Sequence, residues 1–214
     1  MATDTRFEDL KCADKIWLQE RRKRIKNLIK VIYNEIKEGR ILDVAMGKWS
    51  LVKTGFPKLF VVGIDHVTPS LLPDEFHLVD LKKGLPFKDG EFSMVFAGEI
   101  IEHLGNVSAH NLLKEISRVL RSDGYLLLTT PNGFRNRFKH ILKSPKIVAH
   151  EEEFSFREIY KNLVQLGFKI NYSSGIQPLF IPWRLTTRFT SLRLPGLLSS
   201  QLVFLSRKAK NVSL

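Results

Sequence analysis

The sequence predicts an α/β protein in which a doubly wound, mostly parallel sheet carries helices on both faces. Three observations point to it. Short apolar runs recur at Ile41–Ala45, Leu59–Ile64, Phe76–Val79, Phe92–Ala97 and Tyr125–Thr129, rich in Val, Ile, Leu or Phe and without polar alternation. Runs of that kind are strands buried on both faces of a parallel sheet. Helical patterns separate them, and strands alternating with helices imply right-handed crossovers. Finally, run after run ends in a polar side chain, so that the same edge of the sheet collects them. Ligands of such folds bind there, outside the carboxyl ends of the strands at the topological switch point.

Residues 15–38 read as the first helix. Ile25, Leu28, Ile29, Ile32, Tyr33 and Ile36 recur at helical spacing, Gly39 stands as its C-terminal cap, and Arg21–Arg24 with Lys26 form a solvated basic face. The helix before the fifth run is amphipathic, with Leu112, Leu113, Ile116, Val119 and Leu120 on one stripe and Ser108 as the expected N-cap. Asp123-Gly124 turns the chain into the strand that follows. Ser155 and Glu158 make a capping box, opening a helix that runs through Leu166 and closes at Gly167. Phe168–Tyr172 and Leu202–Ser206 complete the set of strands. We divide one domain, 1–214, into a helical segment 1–40, a core 41–132 and a segment 133–214 that contains an insertion at 178–200.

Composition narrows the classes. With 43% hydrophobic and 26% charged residues in a chain of 214, a single soluble domain is expected. The lone Cys12 excludes an intrachain disulfide and a cysteine metal site, and we expect no metal. The polar start, MATDTRFEDLKC, lacks a signal peptide's apolar core, and no uncharged apolar run of about 18 residues is present, so a cytoplasmic address is expected. The net charge of +12 is uneven. Beyond Glu158, the last acidic residue, lie Lys161, Lys169, Arg184, Arg188, Arg193, Arg207, Lys208 and Lys210. A tail of one sign is either a solubility device or the footprint of an anionic partner, RNA or a phospholipid surface, on residues 159–214.

The strand ends carry the chemistry. Asp43 lies in the first strand, before the turn Val44-Ala45-Met46-Gly47; the second ends at Asp65 and the third at Asp80. The fourth leads into Glu99, Glu102 and His103, and the fifth into Thr130-Pro131-Asn132. An acid at the Asp65 position can accept both hydroxyls of a ribose, the alternative being a strand-end cap. Asp80 could accept an adenine amino group with the backbone of Leu81 completing the edge, or simply form an exposed turn.

In order, ILDVAMG, VVGIDHV, VDLKKGLPFKDGEFSMVFAGEIIEHL, LLKEISRVLRSDGYLLLTTPN and HEEEFSFREIYKNLVQLGF resemble the class I S-adenosylmethionine-dependent methyltransferases, in particular the small single-domain members of the type 11 kind. The likeness runs from about Ile41 to Phe168. It implies a Rossmann-like sheet of seven strands with an antiparallel last strand, and S-adenosylmethionine as cofactor with S-adenosylhomocysteine as product. It also implies a donor site built from Asp43, Ala45, Met46, Gly47, Asp65, His66, Asp80, Leu81, Ala97 and Gly98. The sequence departs from the family in its first loop, where Ala45 and Trp49 replace glycines that let backbone approach the donor. The following helix is interrupted at Gly55-Phe56-Pro57, and Ser93 replaces an aspartate, a change expected to affect packing.

Methyl transfer is an in-line displacement, so placing the nucleophile is the main contribution and a general base adds to it. His103 is the candidate base or a wall of the pocket, with Glu99 and Glu102 orienting it or the acceptor. His150 lies in a segment expected to cross the site mouth. The aromatic, arginine-bearing insertion 178–200 reads as a lid, a membrane-surface element or a contact. Three functions stay open: methylation of an O or N nucleophile on a small, lipid- or sugar-linked acceptor; methylation of RNA or protein; and a non-catalytic scaffold with a degenerate donor loop. The Gly-x-Gly-x-x-Gly fingerprint of nicotinamide dehydrogenases is absent.

Overall fold

The computed structural model describes residues 12–36, 38–48, 50–55, 58–133, 154–178 and 199–209. Helix α1 (Cys12–Ile36) leads into β1 (Arg40–Val44), short α2 (Leu51–Gly55), β2 (Phe60–Asp65), β3 (Glu75–Leu78) and β4 (Phe92–Gly98). Then come α3 (Gly105–Val119), β5 (Leu120–Pro131), α4 (Phe156–Gln165), β6 (Phe168–Pro178) and β7 (Ser199–Lys208). Single 3₁₀ turns follow β3 at Leu81–Lys83 and β4 at Ile101–His103.

The seven strands lie in the order β3-β2-β1-β4-β5-β7-β6. Pairings from β3 through β5 are parallel, and β7 runs antiparallel to both β5 and β6. This is the expected mixed sheet, and the reversal of strand order between β1 and β4 creates its switch point. Strand alternation sorts the core into two layers. Leu42, Val44, Val62, Ile64, Val95 and Ala97 pack on Leu112, Leu113 and Ile116 of α3 and Ile159 and Leu163 of α4. On the other face Ile41, Val61, Met94, Phe96 and Leu127 meet Ile25, Ile29, Ile32 and Ile36 of α1 and Val52 of α2. Each such fully buried aliphatic side chain contributes roughly 1.5–3 kcal/mol of burial free energy.

Several boundaries differ from expectation for local reasons. Helix α3 starts at Gly105 with Leu104 as N-cap, so Ser108 sits inside the helix and caps nothing. Helix α1 ends at Ile36, and Gly39 lies beyond it at φ +129°, where a Cβ would stand 2.6 Å from the Ser93 hydroxyl. Ser93 is buried and donates to the Arg40 carbonyl at 3.1 Å, a packing role as expected. Asp123 does adopt the left-handed conformation (φ 67°), yet it lies within β5, where the pairing slips between Leu120 and Tyr125. The capping box of α4 is present, Ser155 and Glu158 bonding each other's backbone amides.

Candidate functional site

The carboxyl ends of β1, β2 and β4 lie level, Val44 pairing with both Ile64 and Ala97, so the residues just beyond them share one edge. The loop after β1 is shaped by two positive φ angles, Ala45 at 54° and Gly47 at 71°. For alanine the left-handed region costs about 1–2 kcal/mol. Met46 between them is buried, its sulfur lying over Gly63 of β2, where a Cβ would come within 2.2 Å. Its backbone amide donates to the Ile64 carbonyl at 3.3 Å.

Two buried carboxylates grip this loop. Asp65 accepts the Gly47 amide on Oδ2 at 2.8 Å, and the His66 and Val67 amides on Oδ1 at 2.7 and 3.2 Å. The exposed His66 ring lies 2.9 Å from the same Oδ1. Since each carboxylate oxygen offers about two acceptor positions, Oδ2 keeps capacity for a ligand hydroxyl. Asp43 accepts the Ser50 hydroxyl at 2.5 Å. Burial pushes the Asp43 carboxyl up to about 7, against the opposing pull of the Ser50 hydroxyl and the Val52 amide, with nearby Asp65 adding to the rise.

Asp80 stands exposed at the far side of the edge, capping the turn 81–83 by accepting from the Lys82 amide at 3.1 Å. Leu81 beside it is half-buried. Across the switch point Ala97 is buried and Gly98 half-buried; a Cβ on Gly98 would meet the Phe96 ring at 2.7 Å.

Glu99, next along, is a non-glycine residue at φ 55°, a conformation that clusters at functional sites. Its amide donates to the Thr129 carbonyl and its carboxylate accepts from the Gln201 amide group, both at 2.8 Å. Glu102 is buried and turned inward, accepting the Thr130 hydroxyl at 3.0 Å, so it anchors the 3₁₀ turn to β5. His103 at the end of that turn is exposed. Glu102 is thus withdrawn into the core, while Glu99 stays half-buried and His103 exposed.

Trp49, His150 and the body of the 178–200 insertion lie outside the described residues. Ser50 and Gln201 were missed by the sequence reading; both are uncharged residues whose partners come from other elements. Among the described residues no group of three His, Cys, Asp or Glu could hold a metal ion, and no helix is long and apolar enough to cross a membrane.

Residues 53–128 match a family model described as a methyltransferase domain. The chain has the Rossmann-like fold of S-adenosylmethionine-dependent methyltransferases. Solved structures share the methyltransferase fold at low identity. A Methanosarcina mazei S-adenosylmethionine-dependent methyltransferase is 21% identical over 85% of this chain and 98% of its own, with a TM-score of 0.58. A Pyrococcus horikoshii protein is 17% identical over 90% and 92%, with a TM-score of 0.60. The Burkholderia thailandensis 1,6-didemethyltoxoflavin-N1-methyltransferase, crystallised with its substrate and S-adenosylhomocysteine, is 16% identical over 91% and 81%, with a TM-score of 0.58. No curated protein matches the chain.

The methyltransferase donor suits the chemistry of this edge. Asp65 offers an acceptor for a ribose hydroxyl, the left-handed loop at Ala45–Gly47 brings backbone close, and Asp43 adds a second acid at the same level.

Proposed function

We propose that this chain transfers a methyl group from S-adenosylmethionine to an oxygen or nitrogen of a small-molecule, lipid- or sugar-linked acceptor. The observation that carries the reading is the buried Asp65 carboxylate tied to the Gly47 amide at the switch point, on a sheet of the methyltransferase order. The bound donor supplies an activated methyl group on a sulfonium. Asp65 then receives the ribose, Asp80 and Leu81 edge the adenine, and Asp43 and the 45–47 loop hold the amino-acid end.

On the acceptor side, His103 is exposed and takes the proton that the nucleophile loses as its bond to the methyl carbon forms. Such a base contributes about 10²–10⁴-fold. Glu99, held by Gln201, orients the acceptor, and Glu102 fixes the turn that carries His103. The basic residues beyond Glu158, a stretch of sequence with no acid of its own, favour a second reading, in which the acceptor is RNA or an RNA-bound protein.

Radiolabelled methyl transfer from S-adenosylmethionine to a panel of small acceptors and to RNA separates the two. Transfer to a small acceptor, lowered about 100-fold or more in His103→Ala, supports the reading. Transfer to RNA alone, with binding that weakens steeply as salt rises, favours the second. A folded protein that binds donor and methylates nothing in either panel counts for a scaffold.

A further inference from the structure

The donor loop of this chain lacks the glycine at position 45, and Ala45 is nevertheless held at φ 54°. Something must hold that conformation against its cost. One end of the loop is held by Asp65 through the Gly47 amide. The other end is held by Ser50. Its hydroxyl donates to Asp43 on β1 at 2.5 Å, while its oxygen accepts the Lys53 amide at 2.9 Å and so caps α2. The residue is buried, which shields both bonds from water.

We propose, resting on the donor-site reading above, that Ser50 is a positioning residue for the donor loop, bonding Asp43 and the first turn of α2 at once. A hydroxyl pointing at a carboxylate makes a bond of 2.5–2.7 Å, roughly twice as strong as its neutral counterpart. The Ser50–Asp43 link therefore tightens when Asp43 ionises and slackens when it is protonated. Asp43 titrates near neutrality, so donor affinity rises with pH through that range.

Among the described residues, the surroundings of Asp43 leave that control to few groups. From β2 the charged neighbour is Asp65, which disfavours ionisation. From α2, Lys53 turns its ammonium away to the Leu59 carbonyl and Asp74. On β4 the paired residue is Phe96, and α1 brings isoleucines to this layer.

The test is isothermal titration with S-adenosylhomocysteine between pH 6 and 8.5, on wild type, Ser50→Thr, Ser50→Gly, Asp43→Asn and the Ser50→Gly/Asp43→Asn double variant. Glycine is tolerated at an N-cap with little loss, so Ser50→Gly removes the Asp43 bond while keeping α2. Expected is affinity that rises with pH in wild type and in Ser50→Thr. Ser50→Gly should weaken binding at pH 7 by about 10-fold, the scale of one charge-assisted bond, and move the pH midpoint upward. In the Asp43→Asn background the pH step should vanish and Ser50→Gly should cost little more. Wild-type affinity and midpoint in Ser50→Gly, or an equal loss in both backgrounds, overturns the proposal. Absence of binding by folded wild type overturns the donor reading and this proposal with it.

Discussion

Replacing Asp43 by asparagine isolates one buried charge. In the folded protein this carboxyl is pushed from 3.8 up to about 7, chiefly because burial disfavours the ionised form. Between those limits the unfolded chain releases the proton and the folded chain keeps it. Stability therefore falls as pH rises from about 4 to about 7 and levels off above, the reverse of an acid held by an ion pair. At about 1.4 kcal/mol per pH unit, the roughly three-unit gap amounts to about 4 kcal/mol. Asparagine has no such proton, so Asp43→Asn should match wild type near pH 4 and exceed it by several kcal/mol above pH 7. Urea unfolding of both proteins from pH 4.5 to 8 measures the difference, and subtraction cancels the remaining carboxylates. Two curves that stay parallel across the range would show that Asp43 is ionised throughout, and the electrostatic account of the loop would fail.

Ala45→Gly should raise thermal stability by relieving the left-handed alanine, a gain of about 1 kcal/mol after the entropy of the added glycine, read as a shift in Tm. Ser155→Ala removes half of the capping box of α4 and should cost about 1 kcal/mol in urea unfolding. Arg118→Met should cost more, about 1–3 kcal/mol, because the guanidinium donates to the Leu85 and Phe87 carbonyls and to Glu115, tying the 85–89 loop to α3. An unchanged unfolding midpoint in that variant would show that the loop is held by its apolar side chains alone.

How much could be read from the sequence followed from which forces act locally. The inner strands announce themselves because Ile41–Val44, Val61–Ile64 and Phe92–Ala97 are covered on both faces and contain little that is polar. The last two strands were read too short. Their facing ends, 173–178 of β6 and 199–201 of β7, include polar residues and are held in the sheet by backbone pairing, Ile176 opposite Gln201 and Pro178 opposite Ser199, which no apolar pattern records. Gly105 starts α3 in a left-handed conformation that the cap pattern at Ser108 did not reveal.

In the site, the place of Asp65 at the end of the second parallel strand was legible, and so was its strand-end capping, seen in its bonds to the His66 and Val67 amides. Its grip on Gly47 was not, since a backbone amide leaves no mark in the sequence. The inward turn of Glu102 depends on Thr130, and Gln201 reaches Glu99 across 102 residues of chain. Ser50 carried no signal in the sequence, because only the fold sets Asp43 against its hydroxyl.

The central claim is that Asp65 sits at the heart of a donor site, and calorimetric titration of S-adenosylhomocysteine into wild type and Asp65→Ala tests it most directly. Micromolar binding by wild type, weakened about 100-fold or more in a folded Asp65→Ala, is the predicted result, since both the ribose contact and the Gly47 anchor are lost. Equal binding by the two proteins, or none by folded wild type, would contradict it.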